Sequence, residues 1–174
     1  MITAAEIFID LVQQNKGIVY KVSRVYATGA DREDLAQEIV YNLWKSYQTY
    51  DASFKFTTWM YRVALNVAIS YYKKNKYTKH IREQLQSEPV LITEDNSDEI
   101  VELETRYEQM FRIIADLRKI DRSIVFLYLE QKSYREIAEI TGISESNVST
   151  RMARIRKKLK LKLSITMADS KSPP

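Results

Sequence analysis

The sequence predicts an all-α protein: two small helical domains joined by an acidic linker. Three observations point there. Glycine and proline number only three each in 174 residues, so helix breakers are scarce. Apolar residues recur at helical spacing, with no alternating strand pattern of any length. Charge is also partitioned along the chain. Residues 1–81 carry a net +4, residues 82–109 a net −7 and residues 110–174 a net +7, which sets two basic modules around an acidic connector. On this pattern the first domain spans residues 1–80, the linker 81–104 and the second domain 105–163. The polar, aperiodic tail 164–174 is expected to be disordered.

The first domain reads as follows. Thr3 and Glu6 have capping-box spacing and open a helix whose apolar side is Ile7, Leu11 and their neighbours. Asn15–Gly17 breaks it. A second helix runs through Val19, Val22, Val25 and Tyr26 to a turn at Thr28–Ala30. Asp31 is placed to cap the third, DREDLAQEIVYNLWKSY, with Leu35, Ile39, Leu43 and Trp44 on its buried side. Asp34, Gln37, Glu38 and Tyr41 point elsewhere. Two acids one turn apart invite acid–base chemistry or half a metal site, but the single histidine, His80, sits in a basic stretch away from them. An acidic docking surface for a basic partner fits better than catalysis, with a solvated face as the plain alternative.

The stretch from Tyr47 to Lys76 crowds aromatic rings among cations. Wound as a helix from about Phe56, it places Trp59, Met60, Val63, Ala64, Val67 and Tyr71 on an apolar stripe. Thr58, Arg62, Asn66 and Ser70 form a polar stripe beside Lys73 and Lys74. Interleaved rings and cations suit single-stranded nucleic acid, because bases stack on rings at ~1–3 kcal/mol each while cations hold phosphates. Phe54, Lys55, Phe56, Trp59, Arg62 and Asn66 are the candidates. Trp59 fits the core as well as it fits a stacking surface. Arg62 and Asn66 are the stronger assignments.

The connector's first part, Gln86–Asp98, contains Ser87, Pro89, Thr93, Asn96 and Ser97 without a helical period. It reads as extended, with helix resuming near Glu99. Further on, Ser133–Leu163 has the parts of a helix-turn-helix. Ser133 and Glu136 form a second capping box, and Ala138 is small where helices must cross. Gly142 can take the left-handed conformation that ends the first helix. Ile143 plugs the turn, Ser144 caps the second helix, and Val148 faces Ile137. That second helix carries Arg151, Arg154, Arg156, Lys157, Lys158, Lys160 and Lys162 with no acid among them. A merely solvated helix would interleave glutamates, so a helix lying in a DNA major groove is the better reading.

Composition narrows the rest. Without cysteine there is neither disulfide nor thiolate metal site, and a cytoplasmic protein is expected. Apolar runs such as Ile124–Leu129 are far too short to cross a bilayer, and Met1–Asp10 has no signal-peptide pattern. With one histidine and no phosphate-binding glycine loop, no enzymatic activity, metal or cofactor is expected.

The run DREDLAQEIVYNLWKSYQTYD, then FKFTTWMYRVALNVAISYYKK, then the helix-turn-helix, resembles bacterial RNA polymerase sigma factors of the compact extracytoplasmic-function class. The similarity covers roughly residues 5–80 and 105–162. It implies a transcription initiation factor that binds core RNA polymerase and promoter DNA. By this resemblance Asp34, Gln37 and Glu38 match the helix that docks on the clamp helices of the largest subunit. The loop around Ser53–Thr57 matches the one that captures a base flipped from the −10 element. Arg62 and Asn66 match positions that contact that element. Ser149, Thr150, Arg151 and Arg154, with Lys158 beyond them, match the face that reads the −35 element or its phosphates. Ile120–Lys132 matches the part that holds the flap of the second-largest subunit, and the connector is similar to a linker threading toward the active-site cleft. An anti-sigma factor is a further partner of the class. Ser149 departs from the commoner pattern, where many members carry a basic residue. The alternative is a conventional helix-turn-helix regulator with an N-terminal sensing or dimerising domain.

Overall fold

The computed structural model describes residues 3–85, 114 and 117–169. Among these residues there are seven α-helices and no strand, the all-α fold the sequence predicts. The chain divides into two compact units, Met1–Glu102 and Leu103–Pro174.

In the first unit, α1 (Ala4–Gln14) opens on the predicted capping box. Thr3 Oγ1 accepts the Glu6 N–H at 3.2 Å and Glu6 Oε2 accepts the Thr3 N–H at 2.7 Å. That backbone bond, and then the Thr3 side chain, draw the Glu6 carboxyl below its ordinary pKa. Asn15 ends the helix by turning its Nδ2 back to the Leu11 carbonyl at 2.8 Å. Gly17 lies inside the first turn of α2 (Lys16–Tyr26) rather than in the break. Gly29, at φ +54°, makes the turn into α3 (Asp31–Tyr47). Asp31 is the first residue of α3 and no side chain caps it, which corrects the expectation that Asp31 is the cap. Ala30 is already helical, so Asp31 joins Glu33 and Asp34 in the first turn, where the helix dipole favours negative charge.

The long α4 (Phe56–Leu85) packs against both α2 and α3. Its buried arc is Met60, Tyr61, Ala64, Leu65 and Ala68. The predicted stripe is therefore rotated: Trp59, Val63, Val67 and Tyr71 are half-buried at its margin. Small Ala64 and Ala68 let the neighbouring helices approach closely, and burial against two helices widens the arc. The core is completed by Val19, Val22 and Tyr26 of α2 and by Leu35, Ile39 and Leu43 of α3. Phe8, rather than Ile7, faces inward from α1, while Ile7 and Trp44 are each 46% exposed. Phe8 sets its ring against Trp44 and Tyr47 at 5.1 and 5.0 Å, a larger apolar contact than isoleucine offers.

In the second unit, α5 (Lys119–Leu129) is buried continuously from Arg122 to Leu127 because α6 (Tyr134–Thr141) and α7 (Glu145–Asp169) both pack on it. A helix covered on several sides loses its amphipathic stripe. Its C-terminus closes with Lys132 N–H on the Leu127 carbonyl and Gln131 N–H on the Tyr128 carbonyl, both at 3.0 Å. This is a Schellman closure with Gln131 in the left-handed position, φ 58°, where glycine is usual. The helix-turn-helix itself is as read. Ser133 and Glu136 cap each other across α6, Gly142 ends it at φ 74°, and Ser144 Oγ accepts the Asn147 N–H at 3.3 Å to open α7. Ile137 and Val148 are both fully buried, and Met152 and Ile155 extend the inner face of α7.

Two boundaries differ from expectation. α4 continues to Leu85, five residues into the predicted linker, and α7 runs to Asp169, into the tail expected to be disordered. No glycine or proline lies between Gly29 and Pro89 or between Gly142 and Pro173, so nothing local stops either helix. The extended stretch Gln86–Asp98 and the helix expected near Glu99 fall outside the described residues.

Candidate nucleic-acid interface

Between α3 and α4 the chain turns through an ordered corner. The Tyr50 hydroxyl donates to the Phe54 carbonyl at 2.7 Å, and Asp51 Oδ1 accepts the Ser53 N–H at 2.9 Å, an Asx turn. The Ser53 backbone N–H, and secondarily its side chain, hold the Asp51 carboxyl below its ordinary pKa. The outcome is that Phe54, 50% exposed, and Lys55 stand outward. Phe56 and Trp59 turn the other way. Trp59 lies 5.1 Å from Tyr50, 5.3 Å from Phe56 and 6.3 Å from Tyr47, ring centre to ring centre. Trp59 is half-buried within this ring cluster. Arg62 and Asn66 follow on the exposed side of α4.

On α3 the candidates Asp34, Gln37 and Glu38 are all exposed and share one face. Tyr41, 62% exposed, extends the same face by a turn. Spacings of three and four residues bring these side chains together on a helix. An acidic ridge ending in an amphipathic ring suits a basic helical partner.

On α7, Ser149, Thr150, Arg154 and Lys158 are exposed. The Thr150 hydroxyl donates to the Ser146 carbonyl at 2.9 Å, so its lone pairs and methyl remain for a ligand. Arg151 differs. Its Nη1 is 2.8 Å from Asp121 Oδ1 on α5, and its Nε donates to Asn147 Oδ1 at 3.1 Å. Arg156 lies 5.3 Å over the Tyr128 ring at the surface and donates to its hydroxyl at 3.2 Å. Asp121, Asn147 and Tyr128 were not singled out from sequence. The Asn147–Arg151 spacing of four could have shown the first contact. Asp121 lies 30 positions from Arg151, and no local pattern announces that pair.

Among the described residues no helix is long and apolar enough to cross a membrane, and no group of three or more potential metal ligands occurs.

Comparison with known proteins gives this geometry its context. Residues 11–78 match Sigma-70 region 2, and residues 107–159 match Sigma-70, region 4. The chain is 29% identical over 165 residues to the ECF RNA polymerase sigma factor SigW of Bacillus subtilis (strain 168), covering 90% of this chain and 88% of that protein. It is 30% identical over 131 residues to the ECF RNA polymerase sigma factor SigM of the same organism, covering 74% and 77%. Among solved structures, the sigma factor RpoE in complex with the anti-sigma factor NepR from Bartonella quintana superposes with a TM-score of 0.64 at 18% identity, covering 90% of this chain and 98% of that one. Two helical units of these kinds, in this order and at this identity, have one interpretation: the chain belongs to the extracytoplasmic-function RNA polymerase sigma factors and is a transcription initiation factor.

Proposed function

We propose that this chain directs core RNA polymerase to its promoters by holding two separated parts of them, one paired and one opened. The acidic ridge Asp34, Gln37, Glu38 is the docking face for the basic clamp helices of the largest subunit, and α5 with the following turn (120–132) engages the flap of the second-largest subunit. The exposed face of α7 enters the major groove of the −35 element, where each mismatched base pair costs ~1–3 kcal/mol. Its basic run adds phosphate affinity that falls with salt, with a slope of about −0.9 per phosphate neutralised.

The corner at residues 50–54 is the capture site for the −10 element. Extruding a base costs a few kcal/mol, and a surface that rewards only the extruded base draws melting forward. Phe54 supplies an exposed ring, Lys55, Arg62 and Asn66 supply polar and charged contacts, and the Tyr50 and Asp51 hydrogen bonds keep the corner ordered beforehand. The observation that carries this reading is the pairing of that ordered corner with an exposed acidic ridge on the adjoining helix. The chain itself supplies no chemistry; the polymerase does. It works in the cytoplasm, beside the polymerase and the DNA. An anti-sigma factor, such as the one bound to the Bartonella relative, is the second class of partner.

Co-purification with core polymerase followed by run-off transcription tests the proposal. Promoter-specific transcripts that require both proteins are expected. Tight binding to duplex operator without polymerase, and no transcripts with it, would instead indicate a conventional regulator.

A further inference from the structure

One ion pair reaches α7 from outside the helix-turn-helix. Asp121 on α5 takes Arg151 Nη1 at 2.8 Å, with the carboxylate only 18% exposed, and Arg151 Nε reaches Asn147 at 3.1 Å. Arginine has donors and no acceptor, so the carboxamide of Asn147 must turn its oxygen toward Arg151. That leaves the two Nδ2 protons for a ligand. Asn147 is exposed in the first turn of α7, the part of a recognition helix that approaches base edges. Asn147, Arg151, Arg154 and Lys158 recur at spacings of four, three and four and share one side of the helix.

Asparagine usually reads adenine with both ends of its amide, accepting from N6 and donating to N7. Here Arg151 Nε takes one lone pair of that oxygen and fixes the amide's orientation, with the Nδ2 protons on the opposite side. We propose that Asp121, Arg151 and Asn147 form a relay that holds the Asn147 amide with its Nδ2 protons outward, selecting guanine (O6, N7) or thymine (O4), which present acceptors, over adenine, whose N6 amino group would face those donors, at one −35 position. Arg151 is a positioning residue in this relay rather than a base contact, and Asp121 fixes Arg151. The inference rests on the promoter-reading function proposed above.

The test uses the full chain with core polymerase and a duplex library randomised across the −35 element. Wild type should prefer guanine or thymine at one position, and Asn147→Ala should flatten that preference by about 5- to 150-fold without lowering polymerase binding. Arg151→Met keeps the aliphatic stem but frees the Asn147 oxygen, so the same position should change to adenine. The Asp121→Asn/Arg151→Met double variant leaves no charge unpaired and should make the same change, which separates the effect from a folding defect. A wild-type preference for adenine at the position that Asn147→Ala flattens would overturn the relay. So would a uniform loss of affinity in the Arg151 variants without a change of base. Absence of any −35 preference in wild type would instead overturn the promoter-reading function itself.

Discussion

Replacing Gly142 with alanine should loosen the helix-turn-helix corner by an amount set by backbone conformation alone. Gly142 sits at φ 74° and ψ 21°, in the left-handed region. A Cβ built there meets nothing within 4 Å, so there is no clash to relieve. What remains is the intrinsic cost of an L-residue in that region, about 1–2 kcal/mol. The alanine also restricts the unfolded chain, which returns roughly 0.4–1 kcal/mol. The net destabilisation is centred on about 0.8 kcal/mol (at most ~1.6), equivalent to a roughly fourfold loss of hydrogen-exchange protection for amides of α6 and the start of α7 that exchange through opening of the unit. Exchange measured by mass spectrometry on the full chain reads this directly. Gly142→Asn should cost less, since asparagine tolerates the left-handed region. Gly29→Ala provides a matched comparison, because Gly29 is also left-handed (φ +54°) with open space around it, and its effect should fall on α2 and α3. Unchanged protection in Gly142→Ala would refute the conformational argument. A loss beyond about a hundredfold would refute the open space at the corner.

Four further outcomes are expected. Asp34→Lys with Glu38→Lys should abolish binding to core polymerase while circular dichroism stays that of wild type, because both side chains are exposed; normal polymerase binding would refute the docking face. Tyr50→Phe keeps the ring but loses the 2.7 Å bond to the Phe54 carbonyl, and should weaken binding of a single-stranded −10 oligonucleotide to the holoenzyme by about 0.5–1.5 kcal/mol, with −35 duplex binding unchanged. Lys158→Ala should lower the magnitude of the salt-dependence slope for −35 duplex binding by about 0.9. The Asp51–Ser53 turn should persist throughout the neutral range. A carboxyl whose folded pKa is depressed contributes order that is complete above its unfolded value, 3.8 for aspartate, and that is lost only as pH falls through the lower folded value; the Ser53 amide resonance, followed by NMR, should therefore not move between pH 5 and 8 on account of Asp51.

The sequence was most legible where a local rule operates on neighbouring residues. Both capping boxes, the Gly142 corner and the Ser144 cap stand as read, because each is decided within four positions. The exposure of Asp34, Gln37 and Glu38 followed from helical period alone. Features set by tertiary contact were not visible. The buried arc of α4 is rotated toward Tyr61 and Leu65 because two helices cover it, and Phe8 replaces Ile7 inside because Trp44 and Tyr47 lie opposite. The Schellman closure at Gln131 was missed since glutamine carries no turn signal. The Arg151–Asp121 ion pair depends on a helix crossing that periodicity does not encode.

The aromatic cluster has a practical consequence. Both of the chain's tryptophans, Trp44 and Trp59, belong to it, and the helix-turn-helix unit has none. Light absorbed near 295 nm is therefore emitted from the first helical unit alone. A nucleobase settling beside Phe54 should dim that emission, so strand separation can be timed in a stopped-flow mixer without attaching a dye.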